Sequence, residues 1–161
     1  MKILGIDPGL DNTGYGLINT KGKHFEFLEA NIIKTSKRDV LELRIKKIFL
    51  SIESIINEHA PDVVVIEELY AHYKHPTTAI LMGHARGCVC LACALNDIPV
   101  VGYKPTRIKK AVVGKGSATK DQVKRMVEVH LGLKSLAYQS DLTDALAMAI
   151  GHAFISTAVS V

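Results

Sequence analysis

The stretch Lys2–Gly16, KILGIDPGLDNTGYG, decides how the chain is read. Ile3, Leu4 and Ile6 form a short apolar run of the kind that becomes a buried strand, and the run ends on a carboxylate, Asp7. Pro8 and Gly9 break the strand, and Gly14 to Ile18 start a second one. An aspartate at the end of a core strand is costly to bury unless a hydrogen bond, a cation or a metal compensates it. The remainder of the chain has to supply what meets Asp7.

Working outward, the pattern predicts strands over Lys2–Asp7, Thr13–Asn19 and His24–Ile33, the last two joined by a tight turn at Lys21-Gly22. Three strands on short loops make an antiparallel meander. The period then changes: Leu41, Ile45, Ile48, Ile52, Ile55 and Ile56 recur at helical spacing, predicting an amphipathic helix over Asp39–His59 with Asp39 as N-cap. After Pro61, Val63 to Ile66 run without alternation, as in a strand covered on both faces, and this strand also ends on acid, at Glu67 and Glu68. A helix between strands implies a crossover, so the fourth strand should run parallel to one of the meander.

Tyr70–His75 reads as a polar, aromatic loop, and Pro76 opens a helix to about Asn96 that is rich in small residues. Gly83 and Gly87, four apart, predict close packing against another helix, of this chain or of a second copy. A fifth strand is expected at Ile98–Gly102, a short helix at Pro105–Val113, and a basic GKGS loop from Gly114. A helix over Thr119–Leu131 should stop at Gly132, and a last one, capped by Ser140, should run to about Thr157. The expected fold is α/β: a five-stranded mixed sheet, an antiparallel meander plus two parallel strands, flanked by helices in a single domain over 1–161.

Composition bounds the function. The chain has 161 residues, 48% hydrophobic and 22% charged, which suits one globular domain with a sizeable core. Between Lys104 and Lys134 nine Lys/Arg face two acids, a local +7 in a chain whose total is +4. Positive charge concentrated in this way favours a polyanionic partner. Cys88, Cys90 and Cys93 lie among apolar residues without a fourth ligand at metal-site spacing, and read as small core residues. Free thiols, no signal-peptide pattern and no apolar run of membrane-spanning length predict a cytoplasmic protein.

Asp141 and Asp144, three apart, share one face at the start of the last helix, where negative charge is favoured. If that first turn packs over the ends of the strands bearing Asp7 and Glu67, four carboxylates converge. They cannot all ionise without a counter-charge. A hard divalent cation supplies one, and an all-oxygen donor set points to magnesium or manganese rather than zinc. Two such ions suit phosphodiester hydrolysis, one activating water and the other stabilising the leaving oxygen. Glu67 and Glu68 point to opposite faces of the strand, so one should face the site and the other should not.

GIDPG, TGYG, VIEELY, GHARG, VVGKGSATKDQV and DLTDALAMAIGH, in this order along nearly the whole chain, resemble the RuvC family of Holliday-junction resolvases. The resemblance implies a ribonuclease H-like fold and a homodimer. It also implies magnesium-dependent paired nicking of four-way DNA junctions in recombination and repair, alongside a branch-migration motor. By the same resemblance Asp7, Glu67, Asp141 and Asp144 match the metal-binding acids, which favours Glu67 over Glu68. Tyr70 matches an aromatic that stacks on DNA bases, and Lys109 and Lys120 match basic residues beside the site. Arg107 and Lys115, with Lys104, Lys110, Lys124 and Arg125, suit phosphate contacts. His72, His75 and His152 are assigned structural or solvent roles, since four acids already supply a metal-based mechanism. The competing readings are a ribonuclease H-like nuclease acting on RNA or an RNA–DNA hybrid, an actin-type ATP-binding module, and a junction-binding protein without catalysis. The ATP-binding reading leaves the basic tract unexplained and needs two lobes. The four acids argue against the non-catalytic one.

Overall fold

The computed structural model describes residues 1–22, 24–68, 76–136 and 140–159. β1 (Lys2–Asp7), β2 (Asn12–Lys21) and β3 (His24–Lys34) form the meander. α1 (Leu41–His59) crosses over to β4 (Val63–Glu67), and α2 (Pro76–Leu95) to β5 (Val100–Tyr103). α3 (Pro105–Val113), α4 (Lys120–Leu131) and α5 (Ser140–Val159) follow. The strand order is β3-β2-β1-β4-β5, with β1–β2 and β2–β3 antiparallel and β1–β4 and β4–β5 parallel.

The central strands bury both faces, which is why their apolar residues run without alternation. On one face Leu4, Ile6, Val64 and Ile66 pack with Ile48, Ile52 and Ile56 of α1 and Ala85, Val89 and Cys93 of α2. On the other, Ile3, Val63 and Val65 pack with Ile108 of α3, Val127 of α4, and Leu146, Ala149 and Ile150 of α5. Successive strand residues alternate between these two cores. Asp7 therefore falls on the α5 side with Ile3, and Glu67 on the same side with Val63 and Val65.

Several boundaries differ from the sequence reading. Asp39 is not the N-cap of α1: Val40 holds that position with no side-chain cap, and the Asp39 amide closes a turn onto the Ser36 carbonyl. The fifth strand begins at Val100 rather than Ile98 because the Ile98 amide turns back to the Cys93 carbonyl and closes the end of α2. Ser140 is the first helical residue of α5, and its hydroxyl donates to Asp141 Oδ1 at 3.1 Å. α4 begins at Lys120 rather than Thr119, which is its N-cap with a reciprocal bond to Gln122, and Gly132 ends it as expected, in the left-handed region at φ 64°.

The expectation of no membrane-length segment also needs correction. Thr77–Leu95, 19 residues at a mean hydropathy of 1.5, is long and apolar enough to cross a membrane by length and composition alone. His84 and Arg86 interrupt the run, which hides it from a search for uninterrupted apolar residues. Its Ala85, Val89, Ala92 and Cys93 side chains are fully buried in the core shared with α1 and the sheet, and Ile80, Leu91 and Leu95 on the opposite face are exposed.

Candidate active site

α5 lies directly on the sheet because glycines leave room for it. A Cβ on Gly5 would stand 2.0 Å from the Ala145 carbonyl oxygen, and one on Gly14 2.2 Å from that of Asp141. Gly14 pairs with Asp7 across β1–β2, and Gly5 pairs with Gly16, where a Cβ would meet Leu146 Cδ2 at 2.5 Å. No side chain larger than hydrogen fits between helix and strand at these points. The glycine floor sets the first turn of α5 over the ends of β1 and β4.

This seating brings Asp7, Glu67, Asp141 and Asp144 within electrostatic reach of one another. Burial raises the Asp7 carboxyl from 3.8 to about 7, with Asp144, Glu67 and Asp141 adding to the rise and Lys120 opposing it. Burial also raises Glu67, as does Asp144, against the pull of Lys109 and Lys120. Asp144 is raised chiefly by burial, with Asp141 adding and both lysines opposing. Lys120 Nζ lies 3.7 Å from Asp144 Oδ2 at the N-terminus of α4, and Lys109 projects from α3. The register thus separates Glu67 from Glu68, which sequence pattern alone leaves open.

The donor set is all carboxylate oxygen, which suits a hard divalent cation. Among the described residues no three His, Cys, Asp or Glu side chains close around a common point. The acids form an open arc flanked by two ammonium groups, and a cation between them would relieve the repulsion and burial cost that raise Asp7.

The loop after Asp7 is firmly held. Thr13, fully buried, donates its hydroxyl to the Gly9 carbonyl at 2.7 Å. Thr35 donates to the Leu10 carbonyl at 2.6 Å, and Asp11 pairs with Arg44 and Lys37.

Beyond the arc, a cavity of about 520 Å³ is lined by Glu68, Tyr103, Lys104, Thr106, Arg107 and Lys110, among others. Arg107 stacks over the Tyr103 ring, 5.1 Å from its centroid. Arg107 therefore belongs to this cationic cleft rather than to the carboxylate arc. Lys115 is exposed on the loop between α3 and α4. His152 is buried, its Nδ1 3.0 Å from the Tyr103 hydroxyl, and burial lowers its pKa; it is a neutral core residue. Cys88 and Cys93 are likewise buried, and burial pushes the Cys93 thiol up to about 12. Tyr70, His72 and His75 lie outside the described residues.

The model of the family described as crossover junction endodeoxyribonuclease RuvC matches residues 3–152. The chain belongs to the RuvC family. The RuvC of Rhodopirellula baltica is 44% identical over 151 residues, covering 93% of this chain and 85% of that protein. A Thermus thermophilus RuvC solved in complex with a Holliday junction substrate superposes with a TM-score of 0.94 at 33% identity, over 99% of this chain and 97% of that one. The yeast mitochondrial Holliday junction resolvase, at 13% identity and a TM-score of 0.61 over 92% of this chain and 77% of that one, shares the fold. The RuvC chain is thus an endodeoxyribonuclease by family and ribonuclease H-like in architecture.

Two features of the site carry little signal in sequence. The glycine floor is spread over β1 and β2, and shows only once Gly5 and Gly14 are placed on the face α5 covers. Arg86 sits in the GHARG stretch, yet nothing in the pattern ties it to the end of β4, where its Nη1 donates to the Glu67 carbonyl at 2.5 Å.

Proposed function

We propose that this RuvC protein resolves four-way DNA junctions by paired phosphodiester hydrolysis in recombination and repair. The observation that carries the reading is the arc of Asp7, Glu67, Asp141 and Asp144 at adjacent strand ends beneath a glycine-seated helix. Two Mg²⁺ ions per site, replaceable by Mn²⁺, suit oxygen donors of this chemistry and would supply water activation and leaving-group stabilisation. Asp7, Glu67, Asp141 and Asp144 hold the ions. Lys109 and Lys120 oppose the rise of the flanking carboxylates and offer charge to the scissile phosphate. Arg107, with Lys104 and Lys110 in the cleft and Lys115 on the loop, contacts the backbone away from the reacting bond. Tyr70 takes a stacking role against junction bases.

The working unit is a homodimer, since two-fold symmetry places two sites on two strands of a symmetric junction. The outer face of α2 supports this. Ile80, Leu91 and Leu95 are 62%, 53% and 63% exposed, in line with His84 and Gly87, and a Cβ on Gly87 would meet nothing within 4 Å among the described residues. Large apolar side chains along one uncovered helix face suit a second copy better than water. The dimer works with a branch-migration motor that delivers the junction.

Cleavage of a four-way junction beside its linear arms and an RNA–DNA hybrid, with and without Mg²⁺, tests the reading. Symmetric nicks in opposing strands of the junction alone, dependent on Mg²⁺, are expected. Preferential cutting of the hybrid would transfer the protein to the ribonuclease alternative.

A further inference from the structure

We infer that Arg86 is a positioning residue for Glu67, standing in for a backbone donor that Pro8 removes. The inference rests on the metal-ligand reading of Glu67. The β1–β4 register runs to Ile6 opposite Ile66, so one residue further Asp7 lies opposite Glu67. The Glu68 amide donates to the Tyr103 carbonyl on the β5 side, so the Glu67 carbonyl faces β1. In a parallel ladder that carbonyl accepts from the amide one past its partner, here residue 8. Residue 8 is proline and has no N–H.

Pro8 ends β1 at Asp7, but it leaves the Glu67 carbonyl without a ladder donor at the rim of the sheet. An unmet carbonyl there would let the end of β4 turn toward solvent, taking its carboxylate with it. Arg86 supplies the donor. It reaches from α2, and its Nη1 lies 2.5 Å from the Glu67 oxygen. The guanidinium runs past Gly102 of β5 at ordinary contact distance, a Cβ there lying 3.7 Å from Arg86 Nη2, and the closer neighbour at that position is Glu68 Cγ at 3.1 Å. α2 thereby fixes the backbone of one ligand, while α5, on the opposite face, carries two others.

The test uses Mn²⁺ binding to the full chain without DNA, read by electron paramagnetic resonance, with thermal melts and junction cleavage in parallel. Arg86→Met should weaken Mn²⁺ binding about ten- to a hundred-fold, the range for residues that orient a ligand. Arg86→Lys, which keeps a donor, should recover most of it. Pro8→Ala restores an amide opposite the Glu67 carbonyl, so adding it to Arg86→Met should recover affinity, whereas a purely structural role for Arg86 predicts no such rescue. Glu67→Gln is the reference. If Glu67→Gln loses Mn²⁺ and Arg86→Met does not, the positioning role is wrong. If Pro8→Ala alone binds normally yet fails to rescue Arg86→Met, the missing-donor argument is wrong. If Glu67→Gln itself binds Mn²⁺ normally, the metal reading falls and the positioning role with it.

Discussion

Asp7→Asn should abolish cleavage and, in the absence of metal, make the protein more stable. Burial and three neighbouring acids raise the Asp7 carboxyl from 3.8 to about 7. A carboxyl raised in the folded state favours folding while protonated. Its contribution is complete below about pH 4, where the unfolded chain is protonated too, and is lost as pH rises to about 7. The full rise corresponds to about 4 kcal/mol. Discounting by about half for solvent relaxation around a rim position leaves roughly 2 kcal/mol. For a chain of this size that is a rise of about 4–8 °C in Tm. Asn keeps the shape of Asp and removes the charge. Thermal unfolding in a chelator, from pH 4 to 8, is the assay. The variant should match wild type near pH 4, pull ahead between pH 4 and 7, and hold a constant lead above. Adding Mg²⁺ should stabilise wild type and leave the variant little changed. Equal stability at pH 8, or a lead that shrinks as pH rises, would refute the account of Asp7 as an acid held at a cost.

Glu67→Gln should inactivate the enzyme and Glu68→Gln should not, as read by junction cleavage at saturating Mg²⁺; the reverse would mean the register argument picked the wrong face. Gly14→Ala should lift the first turn of α5, costing about 1–3 kcal/mol by overpacking and most of the activity; thermal melts with cleavage assays check both. Lys120→Met removes a cation that holds Asp7, Glu67 and Asp144 down, so the acidic limb of the pH–rate profile should move to higher pH. Leu91→Glu on the exposed face of α2 should give a folded monomer by light scattering and convert paired nicking into single, uncoupled nicks.

Much of this site is legible from the order of residues. Two apolar strands that both end on acid, and two aspartates three apart at a helix start, are local patterns. Strand spacing follows from the two-residue period, and the crossover rule makes β1 and β4 parallel neighbours. The choice between Glu67 and Glu68 is different in kind. Both follow the same valine run, and only the partition of Val63 and Val65 from Val64 and Ile66 between two cores assigns them to faces. The start of α1 departs from pattern for a related reason: Asp39 has the right chemistry for a cap, but Ser36 claims the local turn first. The cleft holding Arg107 is invisible to charge counting, which cannot tell which face of α3 a cation leaves from.

The geometry also explains why a nuclease of this kind tolerates so strained a cluster of charge. The four acids are fixed by three packed elements, β1, β4 and α5, so none can relax without disturbing the core. Asp7 ends β1 and is followed by a loop pinned by Thr13 and Thr35. Asp141 and Asp144 ride on a helix whose backbone rests on glycine. Glu67 closes a strand buried on both faces, with Arg86 holding its carbonyl. Neither the burial of Asp7 nor the repulsion from its acidic neighbours can be released by movement, and protonation relieves both, in keeping with a carboxyl raised first by burial and then by Asp144, Glu67 and Asp141. A divalent cation competes for the same relief with two charges rather than one. Metal binding should therefore expel a proton from the arc near neutral pH, and the metal affinity of the DNA-free protein should rise steeply between about pH 6 and 8. A flat affinity across that range, measured by Mn²⁺ titration, would show that Asp7 enters the complex already ionised and that burial and its acidic neighbours do not raise it as argued.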